Sequence, residues 1–277
     1  MTLPRSLDAD LAFAARLADA AWAAISIHFR NLSAVDDKGP VHRPGFDPVT
    51  EADRAAELAM RALVSAERPE DGVTGEEFPE TPSTSGYRWY FDPIDGTRAF
   101  IAGTTTWGVL IAACWQGEPV IGVIDQPFVG ERWAGSPAGT LHRRTLPGPG
   151  ADQPVTAAPV TGPAEAILAT TDPHLFSGAE ADAFARCRAA MRLTRYGLDC
   201  MAYAYLASGG VSAVMETGLK PVDVAALVPV VRGAGGVITS WSGDPILPLD
   251  PAWDGSALAC ATSQLHDALR AWIDAAT

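Results

Sequence analysis

A chain of 277 residues, of which 48% are hydrophobic and 19% charged, can bury a large core and is not intrinsically disordered. Its formal net charge of −13 argues against nucleic acid or an anionic membrane as the main partner, because both bind basic surfaces. The four cysteines are widely spaced and no apolar run is long enough to cross a bilayer, so we expect a reduced, cytoplasmic protein.

The first half of the chain has helical patterns followed by strand patterns. Apolar residues recur at steps of three or four from Leu7 to Leu32 and predict one long amphipathic helix. Thr50 is expected to cap a second helix. Residues 89–133 are rich in β-branched and aromatic side chains, with breaks that contain glycine, which is typical of strands. These patterns predict an α+β first half.

A segment without clear periodicity separates this region from the rest of the chain. Residues 137–165 are rich in proline, glycine and threonine, and we expect them to join two halves. Beyond them, strand and helix patterns alternate, which predicts a layered α/β second half. We place the N-terminal half at residues 1–145 and the C-terminal half at residues 146–277.

The hexapeptide Asp92-Pro93-Ile94-Asp95-Gly96-Thr97 directly follows an aromatic, strand-like run. Its two carboxylates are the hard oxygen ligands that Mg²⁺ prefers. Backbone N–H groups at a glycine-led turn that enters a helix can hold an anionic oxygen. An isolated Asp-Gly pair is usually only a turn, but the whole hexapeptide after a strand predicts a metal-assisted phosphate site.

This hexapeptide resembles the signature of the inositol monophosphatase family of Mg²⁺-dependent phosphatases. Three further segments resemble that family in the expected order: residues 47–53, the Gly-Glu-Glu run at 75–77, and residues 220–226. The extended pattern is most similar to the branch that contains histidinol-phosphate phosphatases. The resemblance implies an α/β fold built as a five-layer αβαβα sandwich, as in inositol monophosphatase and fructose-1,6-bisphosphatase. It also assigns metal and phosphate binding to the first half and substrate binding to the second.

The resemblance implies a set of metal ligands drawn from three of these segments. Carboxylates brought together without a cation repel one another and raise one another's pKa, and divalent metal removes that penalty. Taken alone, Glu76 has the pattern of a solvated loop acid and Asp223 that of a helix N-cap. The ligands implied for about two or three Mg²⁺ ions are Glu76, Asp92, Asp95, Asp223 and the backbone carbonyl of Ile94.

The resemblance also implies how the reaction proceeds. Glu76 and Thr97 would orient a metal-activated water that attacks phosphorus directly, and no phosphoenzyme would form. The N–H groups of Gly96 and Thr97 would face the phosphate. Asp53 stands three residues after Thr50, which is close to a capping box, and the resemblance gives it a second task of holding Thr97 and the water. Both roles are compatible.

Substrate recognition is expected in the second half. By resemblance, the organic part of the substrate would contact Arg195, Asp199 and Glu216 together with Asp223. The acidic members favour a cationic amino alcohol phosphate, so we expect L-histidinol phosphate and a place in histidine biosynthesis. The alternatives are inositol 1-phosphate, a nucleotide 3′-phosphate, a sugar phosphate, or a metal-dependent binding module without catalysis. Without the resemblance, Asp199 and Glu216 would be taken as surface acids.

The expected partner is a small phosphate ester, and neither nucleic acid nor a membrane. The resemblance further implies a homodimer and inhibition by Li⁺.

Overall fold

Helices α1 (Leu7–Ile25) and α2 (Glu51–Glu67) pack against each other and cover one face of a large sheet. The computed structural model of the protein describes residues 4–31, 35–37, 48–146 and 148–275. An apolar stripe repeats every three or four residues on each helix, so one side of each is buried. The Thr50 hydroxyl accepts the N–H of Ala52 and caps α2, as predicted.

The first helix is shorter than its apolar pattern predicts. It ends at Ile25, and the following residues form turns in which Arg30 has a left-handed φ of 61°, a conformation that an α-helix cannot contain. Phe29 is nevertheless buried, so the apolar spacing continues after the helix has ended. Leu32, like Asp47 of the second motif, lies outside the described residues.

Within the described ranges, seven strands form the larger sheet in chain order, and a separate antiparallel pair consists of β1 (Asp36–Asp37) and β2 (Pro48–Val49). The first two strands of the larger sheet are parallel and the other neighbours are antiparallel. These strands are β3 (Gly72–Gly75), β4 (Tyr87–Asp95), β5 (Gly108–Trp115), β6 (Glu118–Gln126), β7 (Glu131–Ser136), β8 (Gly139–Arg144) and β9 (Gln153–Val155).

The larger sheet extends into the segment predicted to join the halves. Its last two strands, β8 and β9, lie within residues 137–165, and β9 lies beyond residue 145. The division at residues 145 and 146 stays a prediction, but the sheet itself takes residues from both sides of it.

The smaller sheet has the order β11-β10-β12-β14-β13 among the described strands. Its strand β10 runs parallel to both neighbours, whereas β14 is antiparallel to both of its own. The strands are β10 (Ile167–Thr170), β11 (Leu193–Tyr196), β12 (Ala213–Glu216), β13 (Val237–Thr239) and β14 (Ala257–Cys260). The remaining helices are α3 (Thr97–Ile101), α4 (Ala179–Ala190), α5 (Met201–Ala207), α6 (Pro221–Val224), α7 (Leu227–Gly233) and α8 (Ser263–Asp274), with 3₁₀ turns at Pro163–Glu165 and Pro173–Leu175.

The helices and sheets stack in five layers. Helices α1 and α2 cover the outer face of the larger sheet, and α7 packs on its inner face while also contacting β13 of the smaller sheet. Helix α5 packs on α7 and β12, and α8 packs on β14 beside α4 at the far side. Three apolar cores fill the spaces between these layers. The predicted αβαβα sandwich is confirmed.

Side chains of the larger sheet alternate between two of these cores. On β4, Trp89 and Phe91 pack toward α1 and α2, whereas Tyr90 between them packs toward the middle layer. The ring of Phe13 on α1 meets Trp89 edge to face at 5.1 Å. The period-two alternation of a strand with both faces covered explains why nearly every residue of β4 is buried.

Two glycines bring helix α7 into direct contact with the larger sheet. A Cβ on Gly122 would overlap the backbone of Ala226, and one on Gly135 would overlap that of Pro229 and Val230. The middle layer therefore rests on the backbone of β6 and β7 with no side chain between them.

Substituting Gly135 by Ala should lower the free energy of unfolding by about 1–3 kcal/mol, because the added methyl group forces the helix to shift. The measurement is a urea unfolding curve near pH 7. Gly162→Ala is the control, since a Cβ there meets nothing within 4 Å, and its midpoint should match wild type. Equal midpoints for the two variants would contradict the close approach of α7 to the sheet.

Candidate active site

The backbone changes direction sharply where β4 ends. The pairing of β4 with β5 is irregular between Asp92 and Asp95, at the place where Pro93 cannot donate a ladder hydrogen bond. Gly96 then adopts a left-handed φ of 81°, and a Cβ there would lie 3.0 Å from the carbonyl oxygen of Thr106. Glycine is required at this position for both reasons. The next residue begins α3.

Backbone groups orient the two aspartates of this turn. Asp92 Oδ1 accepts the N–H of Ile94 at 3.0 Å. Asp95 Oδ2 accepts the N–H of Cys200 at 2.7 Å, across 105 positions of sequence. The second bond links the end of β4 to the start of α5, so it connects the larger sheet to the middle layer.

Lys220 bridges two of the predicted metal ligands. Its ammonium donates to Glu76 Oε1 at 3.1 Å, and its backbone N–H donates to Asp223 Oδ2 at 2.7 Å. The segment 220–226, which begins at this lysine, predicts no role for it. Its contact with Glu76 spans 144 positions of sequence, and no local pattern indicated it.

The acidic side chains lie close enough to affect one another. Burial raises the pKa of Asp92 well above its usual value, and Glu76, Asp95, Asp223 and Asp53 raise that pKa further. The fold thus places carboxylates from separate segments of the chain in one cluster. Among the residues that the structure describes, no group of three histidine, cysteine or acidic side chains has the geometry of a preformed metal site. The carboxylates therefore form an acidic group with a looser arrangement.

Asp95 belongs to the same group. Burial raises its pKa well above the usual value, and Asp199 and Asp223 raise it further, whereas the hydrogen bond from Cys200 opposes the shift. Burial and the neighbouring negative charges therefore both disfavour the ionised forms of the carboxylates at the end of β4.

Asp53 forms the capping box that its spacing predicts. Its Oδ2 accepts the backbone N–H and the hydroxyl of Thr50 at 2.8 and 2.6 Å. Burial raises the pKa of Asp53 to about 7, the bonds from Thr50 oppose this, and Glu77 and Glu76 add to it.

The Thr97 hydroxyl donates to the Ile94 carbonyl at 3.0 Å. The predicted bond between Asp53 and Thr97 is not among the hydrogen bonds of the described residues.

Asp199, one of the predicted substrate residues, lies beside the turn after β4. Its backbone is left-handed with a φ of 48°, and a Cβ on Gly96 would be 3.1 Å from its Cβ and Cγ atoms. Burial raises the pKa of Asp199 to about 6, an effect that Arg98 opposes. Arg195 is exposed on β11, where it pairs with Ala169.

Glu216 lies inside the protein at the end of β12 and is 3% exposed. Its carboxylate accepts the N–H of Thr171 at 2.7 Å and the hydroxyl of Thr170 at 3.4 Å. Burial raises its pKa to about 8, although these hydrogen bonds oppose the shift. Near pH 7 this side chain is mostly protonated, so the predicted acidic wall carries less charge than its composition indicates.

Replacing Glu216 by Gln should make stability less dependent on pH. Because the folded-state pKa is about 8 and the ordinary value is 4.5, folding holds a proton that the unfolded chain releases between these values. Wild-type stability therefore falls as pH rises through this window, with a contribution from Glu216 of about 1 kcal/mol per pH unit. Urea unfolding at pH 5 to 8.5 without metal should give a shallower fall for Glu216→Gln. Parallel curves would contradict the shift.

Comparisons with known proteins agree with this geometry. The profile of the inositol monophosphatase family matches residues 6–276. The bifunctional phosphatase IMPL2, chloroplastic, of Arabidopsis thaliana is 41% identical over 93% of this chain and 70% of its own length. A histidinol-phosphatase of Streptomyces coelicolor is 34% identical over 98% of this chain and 99% of its own length. An inositol monophosphatase from Zymomonas mobilis superposes with a TM-score of 0.83 and 38% identity, covering 98% of this chain and all of the solved one.

The fold and these relatives define a phosphoric monoester hydrolase. The chain belongs to the inositol monophosphatase family, as its four motifs predict. Members of this family depend on a divalent metal, generally Mg²⁺, and act on small phosphate esters. Among the described helices, none combines the length and the apolar character needed to span a membrane.

Proposed function

We propose that the protein hydrolyses the phosphate ester of a small alcohol at the turn that follows β4. The observation that carries this proposal is the acidic cluster, in which carboxylates from distant segments raise one another's pKa beside Gly96. The proposed metal ligands are Glu76, Asp92, Asp95, Asp223 and the carbonyl oxygen of Ile94.

The donor set fits Mg²⁺. All of its atoms are carboxylate or carbonyl oxygens, the ligands that hard cations take. Hydrogen bonds from Ile94 and Cys200 orient Asp92 and Asp95, and such support is usual for ligating carboxylates. When bound, Mg²⁺ would neutralise the cluster, polarise the phosphoryl group and make water a better nucleophile.

The remaining residues would hold the reactants. The N–H groups of Gly96 and Thr97 would donate to the phosphoryl oxygens. Because the Thr97 hydroxyl donates its proton to Ile94, its oxygen is left to accept a hydrogen bond from the attacking water, and Glu76 would accept the other. In hydrolysis the water oxygen bonds to phosphorus and gives up a proton, the ester P–O bond breaks, and the departing alkoxide takes up a proton. Asp53 would fix the start of α2 through Thr50.

Asp95→Asn should reduce Mg²⁺-dependent hydrolysis of a phosphate ester by about a thousandfold or more, since it removes a charged ligand of the reacting group's metal. Initial rates with saturating Mg²⁺ and an unfolding curve make the test. Asp71→Asn is the buried control: its carboxylate binds Arg5, Ser85 and Trp89 away from the cluster, so it should lose stability and keep its turnover. Wild-type turnover in Asp95→Asn would refute the ligand assignment.

We favour L-histidinol phosphate as the substrate. The half-buried carboxylate of Asp199 lies beside the proposed phosphate-binding turn, where it would pair with the ammonium group of an amino alcohol. With a pKa of about 6 it is ionised near neutral pH. The relatives named histidinol-phosphatase, which align over nearly the whole chain, support this choice.

Inositol 1-phosphate is the second candidate. Because the pKa of Glu216 is about 8, its carboxyl group is mostly neutral near pH 7. A neutral carboxyl group can hydrogen-bond to the hydroxyl groups of a polyol as readily as to a cation. The likeness to the inositol monophosphatase from Zymomonas mobilis supports this candidate.

Comparing kcat/KM for the two esters distinguishes the candidates. We expect wild type to prefer L-histidinol phosphate, and Asp199→Asn to lower kcat/KM for that ester by about 10–100-fold through loss of a charge-assisted hydrogen bond. The loss with inositol 1-phosphate should be smaller. Glu165→Gln, at an exposed position, should leave both values unchanged. A preference for inositol 1-phosphate that Asp199→Asn does not alter would overturn the histidinol phosphate proposal.

The homodimer and inhibition by Li⁺ stay predictions that rest on the resemblance, and the cytoplasmic location stays a prediction from the cysteine spacing and the absence of a long apolar run.

A further inference from the structure

A buried carboxylate on α2 touches the loop that carries Glu76. Glu57 is fully buried, and Arg61, one turn later on the same helix, donates from Nε to Glu57 Oε1 at 2.6 Å. Only 14% of the Arg61 side chain is exposed. This ion pair lies one helical turn beyond Asp53, on the same face of α2.

Both members of the pair bind the backbone of the loop. Glu57 Oε2 accepts the N–H of Glu77 at 2.7 Å, which fixes the peptide group that follows Glu76. Arg61 donates to the carbonyl oxygen of Phe78 at 3.1 Å. The two side chains thus hold consecutive parts of the loop.

The residue before Glu76, Gly75, packs directly against the same carboxylate. A Cβ on Gly75 would overlap the Glu57 carboxyl group, so the strand end can approach Glu57 only because it has no side chain there. Glu57 therefore contacts the chain on both sides of Glu76.

We propose that Glu57 and Arg61 are positioning residues that set the orientation of Glu76. This inference rests on the proposed function, in which Glu76 is a metal ligand and holds the attacking water. A ligand on a loop binds metal well only when supporting hydrogen bonds fix its backbone. The bond to the Glu77 N–H and the close approach of Gly75 restrain the backbone on both sides of Glu76.

A buried ion pair has a plainer role in stability, and the chain offers a matched control for it. Arg132 Nε donates to the buried Asp125 Oδ1 at the same 2.6 Å. That pair contacts α1 through the Ala15 carbonyl and Asp19, on the opposite side of the sheet from the middle layer. Removing either carboxylate leaves a buried arginine, so both changes should lower stability similarly.

The test compares Glu57→Gln with Asp125→Asn in the full chain. Mg²⁺ binding is measured by calorimetry without substrate, and the Mg²⁺ concentration for half-maximal hydrolysis is measured with the preferred ester. For Glu57→Gln we expect Kd for Mg²⁺ and the activation midpoint to rise together by about 10–100-fold, with turnover largely restored at high Mg²⁺. Asp125→Asn should change neither value. Arg61→Lys, which keeps the charge and loses the planar donor to Phe78, should give a smaller rise and serves where Glu57→Gln folds poorly.

The outcomes separate the two proposals. A wild-type protein that binds Mg²⁺ and hydrolyses the ester, together with unchanged Mg²⁺ affinity in both Glu57→Gln and Arg61→Lys, would overturn the positioning role alone. A wild-type protein with neither property would overturn the proposed function and this inference with it. A rise in Kd shared equally by Asp125→Asn would show a general loss of structure and would also overturn the inference.

Discussion

Carboxylates repel one another at the end of β4, and the rest of the fold holds them there against that repulsion. Burial raises the pKa values of Asp92 and Asp95 most, and the neighbouring carboxylates raise them further, so both effects disfavour the charged forms in the folded chain. Several backbone constraints hold the chain in place around the cluster. Gly96 turns the chain, Thr50 and Asp53 fix the start of α2, and main-chain N–H groups orient the aspartates. Without a bound cation, this repulsion lowers the stability of the folded chain.

The middle layer connects this cluster to the substrate side. Helices α5 and α7 lie between the two sheets. The segment that begins at Cys200 binds Asp95 at the end of β4, and the segment that begins at Lys220 binds Glu76 in the loop after β3. Contact between α7 and the sheet is direct because Gly122 and Gly135 remove intervening side chains. The two sheets therefore act on the site through one shared set of helices.

Much of the fold and the candidate site could be predicted from sequence because the motif residues are local. The turn after β4 is a continuous hexapeptide, and its aromatic strand alternates as strands do. Local reasoning failed where tertiary contacts decided the outcome. The apolar spacing of α1 continues to Phe29 because that ring packs against Phe100 and Trp107. The spacing therefore reflects which residues are buried, and not how far the helix extends. The strand β8 was missed because most of its residues are polar, namely Thr140, His142, Arg143 and Arg144, and do not form the apolar pattern that predicts a strand.

The second kind of failure concerned charge. Composition indicated an acidic wall for the substrate, but composition carries no information on how deeply a side chain is buried, and burial raises the pKa of Glu216 to about 8. Lys220 and Glu57 went unnoticed for a related reason. Their partners, at residues 76 and 77, are brought to them by folding and not by spacing along the chain.

The segment from Arg195 to Cys200 has unequal ends. It starts on β11, the edge strand of the smaller sheet, where the Leu193 and Tyr196 side chains are exposed. It ends at Cys200, whose main-chain N–H donates a hydrogen bond to Asp95. Any amino acid except proline supplies that N–H. Under the proposed assignment of substrate contacts to this segment, its outer end could vary and change the preferred alcohol while the bond to Asp95 is kept. Relatives with two different substrate names on a common scaffold are the outcome expected of such an arrangement.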